Sequence, residues 1–257
     1  MTSRQPDPLP ADVIAPFWLG EGDRGVLLLH GFAGTPPEMR PLAEEMVGRG
    51  FTVYAPTLAG HGTSPEELEL TDYQDWLRSA DQALDQLRER CRWVGVAGQS
   101  MGATIALHLA ASRPEIRALV TQAGFIRLRD WRVRLLPVVK HVVRWESPSS
   151  EVDLYNPEAV HDLYSYGRRP TRAIAELARL GSMVGTELGA VFRPILVLQG
   201  GRDSIVDPSN ADRIIAGVSS EIRAYRLFIR SGHGLSVDVD RLEVAKLGAD
   251  WLERYVG

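Results

Sequence analysis

The sequence predicts an α/β protein in which a mostly parallel β-sheet is covered by helices. From Gly25 onward, short apolar runs of the β type alternate with longer segments of helical period, which is the pattern of parallel strands joined by crossover helices. The 257 residues are 44% apolar and 24% charged, a composition typical of globular proteins with a sizeable core. We expect a single domain over residues 1–257.

Charge and cysteine content exclude several kinds of partner and site. The formal net charge is −4 at pH 7, so no overall positive field attracts nucleic acid or an anionic membrane, and neither partner is expected. Cys91 is the only cysteine, which excludes an internal disulfide and a cysteine-rich metal site. Residues 1–20 contain four prolines and lack the apolar core of a signal peptide. No segment has the ~18 apolar residues of a membrane span. We expect a cytoplasmic protein without stable membrane insertion.

Six apolar runs are predicted to be the strands of the sheet. They are Gly25–Leu29, Phe51–Ala55, Trp93–Ala97, Ala118–Gln122, Pro194–Gln199 and Ile222–Ile229. Between the second and third runs, apolar residues from Tyr73 to Leu87 recur at three- and four-residue steps. This spacing predicts an amphipathic helix, with Thr71 as its N-cap, that covers the sheet.

The alternation breaks at about residues 125–191, between the fourth and fifth predicted strands. Connections in α/β proteins usually have about two to six residues, so this stretch must carry structure of its own. We predict an inserted cap, or lid. Its first part, Arg127–Trp145, mixes basic and apolar residues. A solvated helix packed on the domain is favoured there, and transient contact with lipid is the alternative.

The motifs that would indicate a cofactor or a metal site are either absent or stand in the wrong structural context. Gly20–Gly25 has the Gly-x-Gly-x-x-Gly spacing, but it precedes a predicted strand, whereas the dinucleotide fingerprint follows one. The sequence has no Walker A motif and no His-Glu-x-x-His motif. His108, His141 and His161 lie in predicted helices without partners at ligand spacing. We expect neither a cofactor nor a metal.

The pentapeptide Gly98–Gly102 (Gly-Gln-Ser-Met-Gly) carries the strongest catalytic pattern. It follows the predicted strand Trp93–Ala97 and opens a predicted helix over Ala103–Ser112, which is the context of a nucleophile elbow. A serine hydroxyl is a weak nucleophile that needs exposure and a neighbouring base, and the tight turn supplies the exposure. Side chains at the two glycines would collide with the neighbouring strand and helix. We predict Ser100 as the nucleophile, in preference to an incidental serine in a glycine-rich turn.

The fold must bring a base to this serine. His233 lies in a short loop after the last predicted strand and before the terminal helix, so it is the best candidate. His30 and His61 are its competitors. Both are better explained as residues that brace turns.

An acid must orient the base, and Asp203 is our prediction because the segment Gly200–Asp203 directly follows the strand Pro194–Gln199. Asp207 is the rival. It precedes Pro208 and a helical stretch, so an N-cap with proline at the first helical position explains it without catalysis. The resulting chain order of serine, aspartate and histidine is the order of the α/β-hydrolases, and it differs from those of chymotrypsin and subtilisin.

An oxyanion hole is the remaining requirement. In this arrangement it is built from the backbone N–H after the nucleophile and from one in the loop after an early strand. Met101 supplies the first N–H. The segment His30–Gly34 follows the first predicted strand, so the Phe32 N–H is the predicted second donor, and Gly31 gives the backbone room to bend.

Together with the elbow, four further motifs resemble the bacterial monoacylglycerol lipases and related small carboxylesterases of the α/β-hydrolase superfamily. They are His30-Gly31-Phe32, Gly60-His61-Gly62-Thr63, the Asp203 loop, and Ser231-x-His233 with Asp238 and Asp240 beyond it. The resemblance covers nearly everything after residue 25. Pro170-Thr171 and the helix through Leu177–Leu180 resemble the end of the family's compact cap. Gln99 departs from the pattern, since an apolar residue is usual there, and so does Ala103, where a further glycine is common.

The resemblance implies an α/β-hydrolase with a cap over an apolar acyl pocket. It implies a serine hydrolase that cleaves small carboxylic esters, either monoacylglycerols or short- and medium-chain acyl esters, through an acyl-enzyme. A thioesterase, a lactonase or a carbon–carbon hydrolase would use the same triad, and these alternatives stay open. Dehalogenases and epoxide hydrolases are disfavoured because they need a carboxylate where Ser100 stands. A ligand receptor without turnover is disfavoured because every catalytic part is present.

Overall fold

The structure is a computed structural model that describes residues 14–128, 143–147, 153–161 and 164–256. Its strands are β1 (Phe17–Leu19), β2 (Arg24–Leu29), β3 (Thr52–Ala55), β4 (Trp93–Gln99), β5 (Ile116–Gln122), β6 (Trp145–Glu146), β7 (Arg169–Pro170), β8 (Ile195–Gly200) and β9 (Arg223–Phe228). Its helices are α1 (Arg40–Gly48), α2 (Pro65–Leu70), α3 (Tyr73–Arg88), α4 (Met101–Ser112), α5 (Thr171–Glu187), α6 (Ser209–Gly217) and α7 (Arg241–Arg254). None of these helices combines the length and the hydropathy that a membrane span requires.

One mixed sheet organises the described residues, with the strand order β1-β3-β2-β4-β5-β8-β9. β1 is antiparallel to β3, and every other pairing in this sheet is parallel. All six predicted strands are present, with ends within two residues of the prediction, so the predicted α/β class is confirmed. β1 was not predicted, because it has only three half-buried residues at the sheet edge and therefore gives no period-two pattern.

Helices cover both faces of the sheet because its inner strands are apolar on both sides. In β2, Val26 and Leu28 belong to the core cluster beneath α1 and α7. Leu27 and Leu29 belong to the cluster beneath α3, α4 and α5. All four of these side chains are fully buried. Burying a leucine or valine stabilises a fold by about 1.5–3 kcal/mol, so the continuous apolar run in β2 fixes the position of this strand between the two helical layers.

The start of α3 differs from the prediction by one residue. Asp72, not Thr71, is the N-cap: its carboxylate accepts from the backbone N–H groups of Gln74 and Asp75, and the Asp75 side chain accepts from the Asp72 N–H in return. Thr71 instead accepts a hydrogen bond from the Trp76 indole and donates to the Leu68 carbonyl at the end of α2. A capping box satisfies two helix-terminal N–H groups at once, which explains why Asp72 is preferred.

The predicted cap corresponds to the segment between β5 and β8. Residues 129–142, 148–152 and 162–163 lie outside the described residues. They include His141 and most of the basic and apolar stretch Arg127–Trp145. In the described remainder, β6 pairs with β7 and α5 returns the chain to the main core, where Leu180 and Val184 are fully buried.

This inserted segment is anchored near the carboxyl edge of the sheet. The Tyr166 hydroxyl accepts from the Thr63 N–H at 2.8 Å and donates to the Gly60 carbonyl at 3.1 Å. Arg144 forms an ion pair with Glu69, at 2.7 Å. These contacts hold the segment beside the loop that follows β3.

Candidate active site

Ser100 sits at a sharp turn between β4 and α4. Its backbone angles are φ 53° and ψ −112°, which a non-glycine residue adopts only when its surroundings enforce it. Gly98 and Gly102 make the turn possible. A Cβ on Gly98 would lie 2.3 Å from the Gly102 carbonyl, and a Cβ on Gly102 would lie 2.1 Å from the Leu29 carbonyl. The local geometry is that of the predicted nucleophile elbow.

The structure brings together the three side chains predicted for the triad. His233 Nε2 lies 2.9 Å from Ser100 Oγ, and His233 Nδ1 lies 2.9 Å from Asp203 Oδ2. The carboxylate accepts a hydrogen bond from Nδ1–H, which leaves Nε2 free to accept the serine proton. The loops that carry these residues follow β4, β8 and β9, whose carboxyl ends lie at the same edge of the sheet.

Asp203 is held as a buried carboxylate by four hydrogen bonds. Oδ1 accepts from the Ile205 and Val206 N–H groups at 3.0 and 2.8 Å. Oδ2 accepts from the Gln199 amide at 2.9 Å in addition to His233. The side chain is therefore fixed at both oxygens, and Asp203 is only 5% exposed.

Electrostatics keep Asp203 ionised and His233 basic. Burial raises the pKa of Asp203, but the attraction of His233 and the hydrogen bonds outweigh burial and bring the pKa below its ordinary value. Burial has the opposite effect on His233 and lowers its pKa. The negative charge and hydrogen bond of Asp203, with smaller contributions from the charges of Asp153 and Glu38, outweigh burial and bring this pKa above its ordinary value. A lowered pKa for Asp203 and a raised pKa for His233 are the shifts expected when the carboxylate stabilises the protonated imidazole.

Asp207 lies outside this arrangement. Its Oδ1 accepts from the Ser209 N–H at 2.9 Å, and Asn210 N–H donates to the Asp207 carbonyl. The helix α6 begins at Ser209, with Pro208 directly before it. The side chain thus satisfies a donor at the start of the helix, but the predicted N-cap is wrong by one residue, because Pro208 and not Asp207 is the N-cap.

The loop after β2 presents the predicted second oxyanion donor. The Leu58 N–H donates to His30 Nε2 at 3.0 Å, so Nδ1 carries the proton and donates to the Gly31 carbonyl at 2.9 Å. Burial lowers the pKa of His30 to about 4, which keeps this ring neutral. The Gly34 N–H donates to the same carbonyl at 3.1 Å.

These bonds orient the next peptide unit. In a trans peptide the C=O and N–H point in opposite directions, so holding the Gly31 carbonyl inside the loop turns the Phe32 N–H outward. Gly31 lies beside the nucleophile, since a Cβ on it would be 3.6 Å from Ser100 Cβ. Within the described residues, neither the Phe32 nor the Met101 N–H donates a hydrogen bond to the protein. Both donors are available to a bound ligand.

His61 and His108 have structural partners. His61 is buried, donates a hydrogen bond from Nδ1–H to the Ala59 carbonyl at 2.9 Å, and packs edge-on against His30. His108 pairs with Glu187 on α5 at 2.7 Å. His161 ends a short 3-10 helix. Across the described stretches, no cluster of three metal-ligating side chains occurs.

Three residues near the triad were not predicted as parts of the site. Asp153, in the inserted segment, accepts from the His233 N–H at 3.0 Å and from the Ser204 N–H at 2.8 Å. Gln99, the departure from the family pattern, donates to the His233 carbonyl at 2.6 Å. Glu38 is buried beneath the loop after β2 and accepts from the Gly31 N–H. Each is a polar residue whose partner is distant in sequence or belongs to the backbone, so no local motif marks it.

Asp238, one of the residues of the family resemblance, ties the inserted segment to the histidine loop. Its Oδ1 accepts from the Tyr155 and Asn156 N–H groups at 2.8 and 2.7 Å, and its Oδ2 accepts from the Gly232 N–H at 2.7 Å. The side chain is fully buried.

A surface depression of about 750 Å³ lies at the opposite edge of the sheet. Arginines at the amino ends of the strands line it, among them Arg24, Arg92 and Arg117. Because Ser100, Asp203 and His233 lie at the carboxyl ends of the strands, this depression is separate from the candidate active site.

Comparison with known proteins identifies the family. The family described as Serine aminopeptidase, S33, matches residues 20–240. The chain belongs to this family. A thermostable monoacylglycerol lipase of Bacillus sp. (strain H-257) is 34% identical over 242 residues, which cover 94% of this chain and 95% of the relative. A carboxylesterase of Bacillus subtilis (strain 168) is 26% identical over 241 residues, with coverage of 93% and 96%.

Solved structures agree with this membership. One described under LipS and LipT, two metagenome-derived lipolytic enzymes, superposes with a TM-score of 0.89 at 26% identity, and covers 98% of this chain and 100% of its own. The predicted α/β-hydrolase fold and the resemblance to monoacylglycerol lipases and carboxylesterases are both confirmed.

Proposed function

We propose that this protein is a serine esterase that hydrolyses monoacylglycerols and short- or medium-chain acyl esters through an acyl-enzyme. The observation that carries the proposal is the placement of His233, 2.9 Å from both Ser100 Oγ and Asp203 Oδ2. That placement supports Ser100 as the nucleophile, His233 as the base and Asp203 as the orienting acid, joined by successive hydrogen bonds. The family membership and the lipase and carboxylesterase relatives support the choice of ester bonds.

In the proposed first step, Ser100 Oγ attacks the ester carbonyl carbon while its proton passes to His233 Nε2. The carbonyl π bond opens to an oxyanion, which the Phe32 and Met101 N–H groups bind. The tetrahedral intermediate collapses, the bond to the alcohol oxygen breaks, and the imidazolium gives its proton to the leaving alcohol. An acyl-Ser100 ester remains.

In the second step, a water molecule takes the place of the alcohol. His233 removes one of its protons as the water oxygen bonds to the acyl carbon, and the same two N–H groups bind the second oxyanion. Collapse breaks the bond to Ser100 Oγ, which regains a proton from the imidazolium, and the carboxylic acid leaves. Asp203 stabilises the imidazolium in both steps and keeps the Nδ1–H tautomer throughout.

We propose that residues 125–191 form a cap over this site within a single domain. The described parts of the segment touch both sides of the carboxyl edge: Tyr166 bonds the loop after β3, and Asp153 bonds the loops after β8 and β9. A roof of this kind excludes water and encloses one acyl chain in apolar surface. The cytoplasmic location stays a prediction.

A chain-length series tests the substrate class. We expect kcat/KM for p-nitrophenyl esters and monoacylglycerols to rise by up to about fourfold per carbon, since each buried methylene contributes at most ~0.8 kcal/mol, and to fall once the pocket is full. Acyl-CoA thioesters and emulsified triacylglycerols, at equal concentrations of acyl bonds, are expected to react poorly. Faster turnover of the thioesters would make the protein a thioesterase. A strong rise in rate at the emulsion interface would indicate an interfacial lipase.

A further inference from the structure

A buried carboxyl group that the proposed mechanism does not use lies beneath the oxyanion loop, which we define as Gly31–Gly34. Glu38 belongs to the 3-10 turn Pro36–Met39 that follows this loop, and it is only 4% exposed. Its Oε1 accepts a hydrogen bond from the Gly31 N–H. A glutamate on a helical turn near the surface is usually solvated, so its burial here calls for a specific reason.

The oxyanion loop is shaped around this carboxyl group. A Cβ on Gly34 would lie 2.5 Å from Glu38 Oε2, and a Cβ on Gly31 would lie 3.2 Å from Glu38 Oε1. A side chain at Gly34 would displace the carboxyl group from its present position, and one at Gly31 would crowd it. The loop also contains Ala33, whose φ of 59° is in the left-handed region. Such a backbone persists only where its surroundings hold it.

Three hydrogen bonds then fix the peptide units on either side of Gly31. Glu38 holds the N–H that precedes the Gly31 Cα. His30 Nδ1 and the Gly34 N–H hold the carbonyl that follows it. With both neighbouring peptide planes fixed, the direction of the Phe32 N–H is fixed as well.

We propose that Glu38 is a positioning residue that holds the oxyanion loop so that the Phe32 N–H points at the oxyanion formed on Ser100. This inference rests on the proposed esterase function and adds a residue to it. Loss of the Glu38 acceptor frees the peptide between His30 and Gly31 to rotate and leaves the buried Gly31 N–H without a partner. The oxyanion donor then moves, and a displacement of about 1 Å at a catalytic group costs on the order of 10²-fold in rate.

The acceptor role does not require a negative charge. Burial raises the pKa of Glu38 to about 7, against the lowering effects of the Gly31 N–H and of His233. In the neutral acid a carbonyl oxygen still accepts from the Gly31 N–H. Glutamine therefore mimics the neutral side chain, with an amide oxygen in the position of Oε1.

The experiment compares three substitutions at Glu38 with a matched control, using p-nitrophenyl butyrate. Glu38→Gln keeps the acceptor, Glu38→Met keeps the volume and loses the acceptor, and Glu38→Asp withdraws the carboxylate by one methylene. Glu44 lies exposed on α1, and Glu44→Gln and Glu44→Met repeat two of the changes away from the loop. Circular dichroism and Tm establish which variants fold. The wild type and Ser100→Ala are assayed in parallel.

We expect Glu38→Met and Glu38→Asp to lower kcat by about 10²-fold with KM within about threefold of the wild type, because the oxyanion forms only after substrate binds. Glu38→Gln is expected to stay within about threefold in kcat, and both Glu44 variants to match the wild type. A residue that only stabilised the fold would change Tm and leave kcat of the folded variant intact.

Two results would overturn the inference. One is wild-type kcat in every folded Glu38→Met or Glu38→Asp variant. The other is a loss in Glu38→Gln as large as that in Glu38→Met, which would show that the acceptor is not what matters. In both cases an active wild type and an inactive Ser100→Ala leave the proposed esterase function standing. Absence of Ser100-dependent ester hydrolysis in the wild type would instead remove the esterase proposal and this inference together.

Discussion

Asp153 Oδ2 accepts a hydrogen bond from the His233 backbone N–H at 3.0 Å, across 80 residues of sequence. The same oxygen accepts from the Ser204 N–H, next to Asp203. One carboxylate of the inserted segment thus joins the loop of the base to the loop of the acid. This relationship gives the insertion a direct part in the geometry of the site, independent of any role as a roof.

Substitution of Asp153 separates its hydrogen bonds from its charge. Asp153→Asn keeps an oxygen for the two N–H groups, and we expect kcat at its optimum within about threefold of the wild type. Asp153→Ala leaves both N–H groups without this acceptor and is expected to lower kcat by roughly 10- to 100-fold. Glu158→Gln, at an exposed position of the same segment, is the control. Equal activity of the Ala and Asn variants would show that the two loops hold their positions without Asp153.

The pH profile of Asp153→Asn gives a second readout. His233 must be neutral to accept the serine proton, so kcat/KM falls as the pH drops through its pKa. Asp203 contributes most to raising that pKa above 6.5, and the charge of Asp153 adds to the effect. Removal of the Asp153 charge lowers the pKa, and the acid limb is expected to move to lower pH. Profiles of the wild type, Asp153→Asn and Glu158→Gln in one buffer series measure the shift. An acid limb that stays in place would contradict this electrostatic link.

The nucleophile is tested by covalent labelling. Only an activated hydroxyl attacks a fluorophosphonate at a useful rate, so peptide mapping is expected to find the adduct on Ser100 alone. Ser100→Ala and His233→Ala are expected to lower kcat by at least ~10⁴-fold. Ser112, near the other end of α4, gives a control serine for Ser→Ala substitution. If active protein were labelled at a different serine, that serine and not Ser100 would be the nucleophile.

The choice between two aspartates is tested by a matched pair of substitutions. Asp203→Asn replaces one oxygen with an NH₂ group and cannot hold the productive imidazole tautomer, so kcat is expected to fall by up to about 10⁴-fold. Asp207→Asn is expected to be nearly silent, since asparagine serves the start of a helix about as well as aspartate. Steady-state kinetics of the two variants distinguish the two aspartates, and thermal unfolding shows whether both variants are folded. The opposite pattern would assign the acid to Asp207.

The sequence predicts those site residues whose role is indicated by the residues next to them in the chain. Ser100 stands in a strand, turn and helix context that is visible in the consecutive residues Trp93–Ser112, and Asp203 and His233 are marked by their places after strands. Asp153 could not be predicted because its partners lie 51 and 80 residues away in the sequence. The burial of Glu38 could not be predicted because a glutamate between prolines and a helix has the composition of a solvated turn. Only the packing of Gly31 and Gly34 around its carboxyl group reveals the burial.

The buried carboxyl of Glu38 also predicts a pH dependence of stability. Below its ordinary pKa of 4.5 the group is protonated in both the folded and the unfolded chain and contributes no pH dependence. Between pH 4.5 and about 7 the unfolded chain ionises while the folded chain holds the proton. The folded state then binds more protons, so the free energy of unfolding falls as the pH rises. Because the shift is upward from 4.5 to about 7, the full loss is on the order of 3 kcal/mol.

Glu38→Gln removes this titration. We expect its free energy of unfolding, relative to the wild type, to increase steadily from pH 4 to pH 8 by an amount of that order. Urea unfolding at several pH values measures the difference, and Glu44→Gln, at an exposed position, is expected to give a difference that does not vary with pH. His233 is present in both proteins, and Glu38 contributes less to its pKa than Asp203 and Asp153 do, so the titration of His233 adds only the smaller part of the difference. A difference between Glu38→Gln and the wild type that is constant over this range would mean that the Glu38 carboxyl ionises in the folded protein as readily as in water.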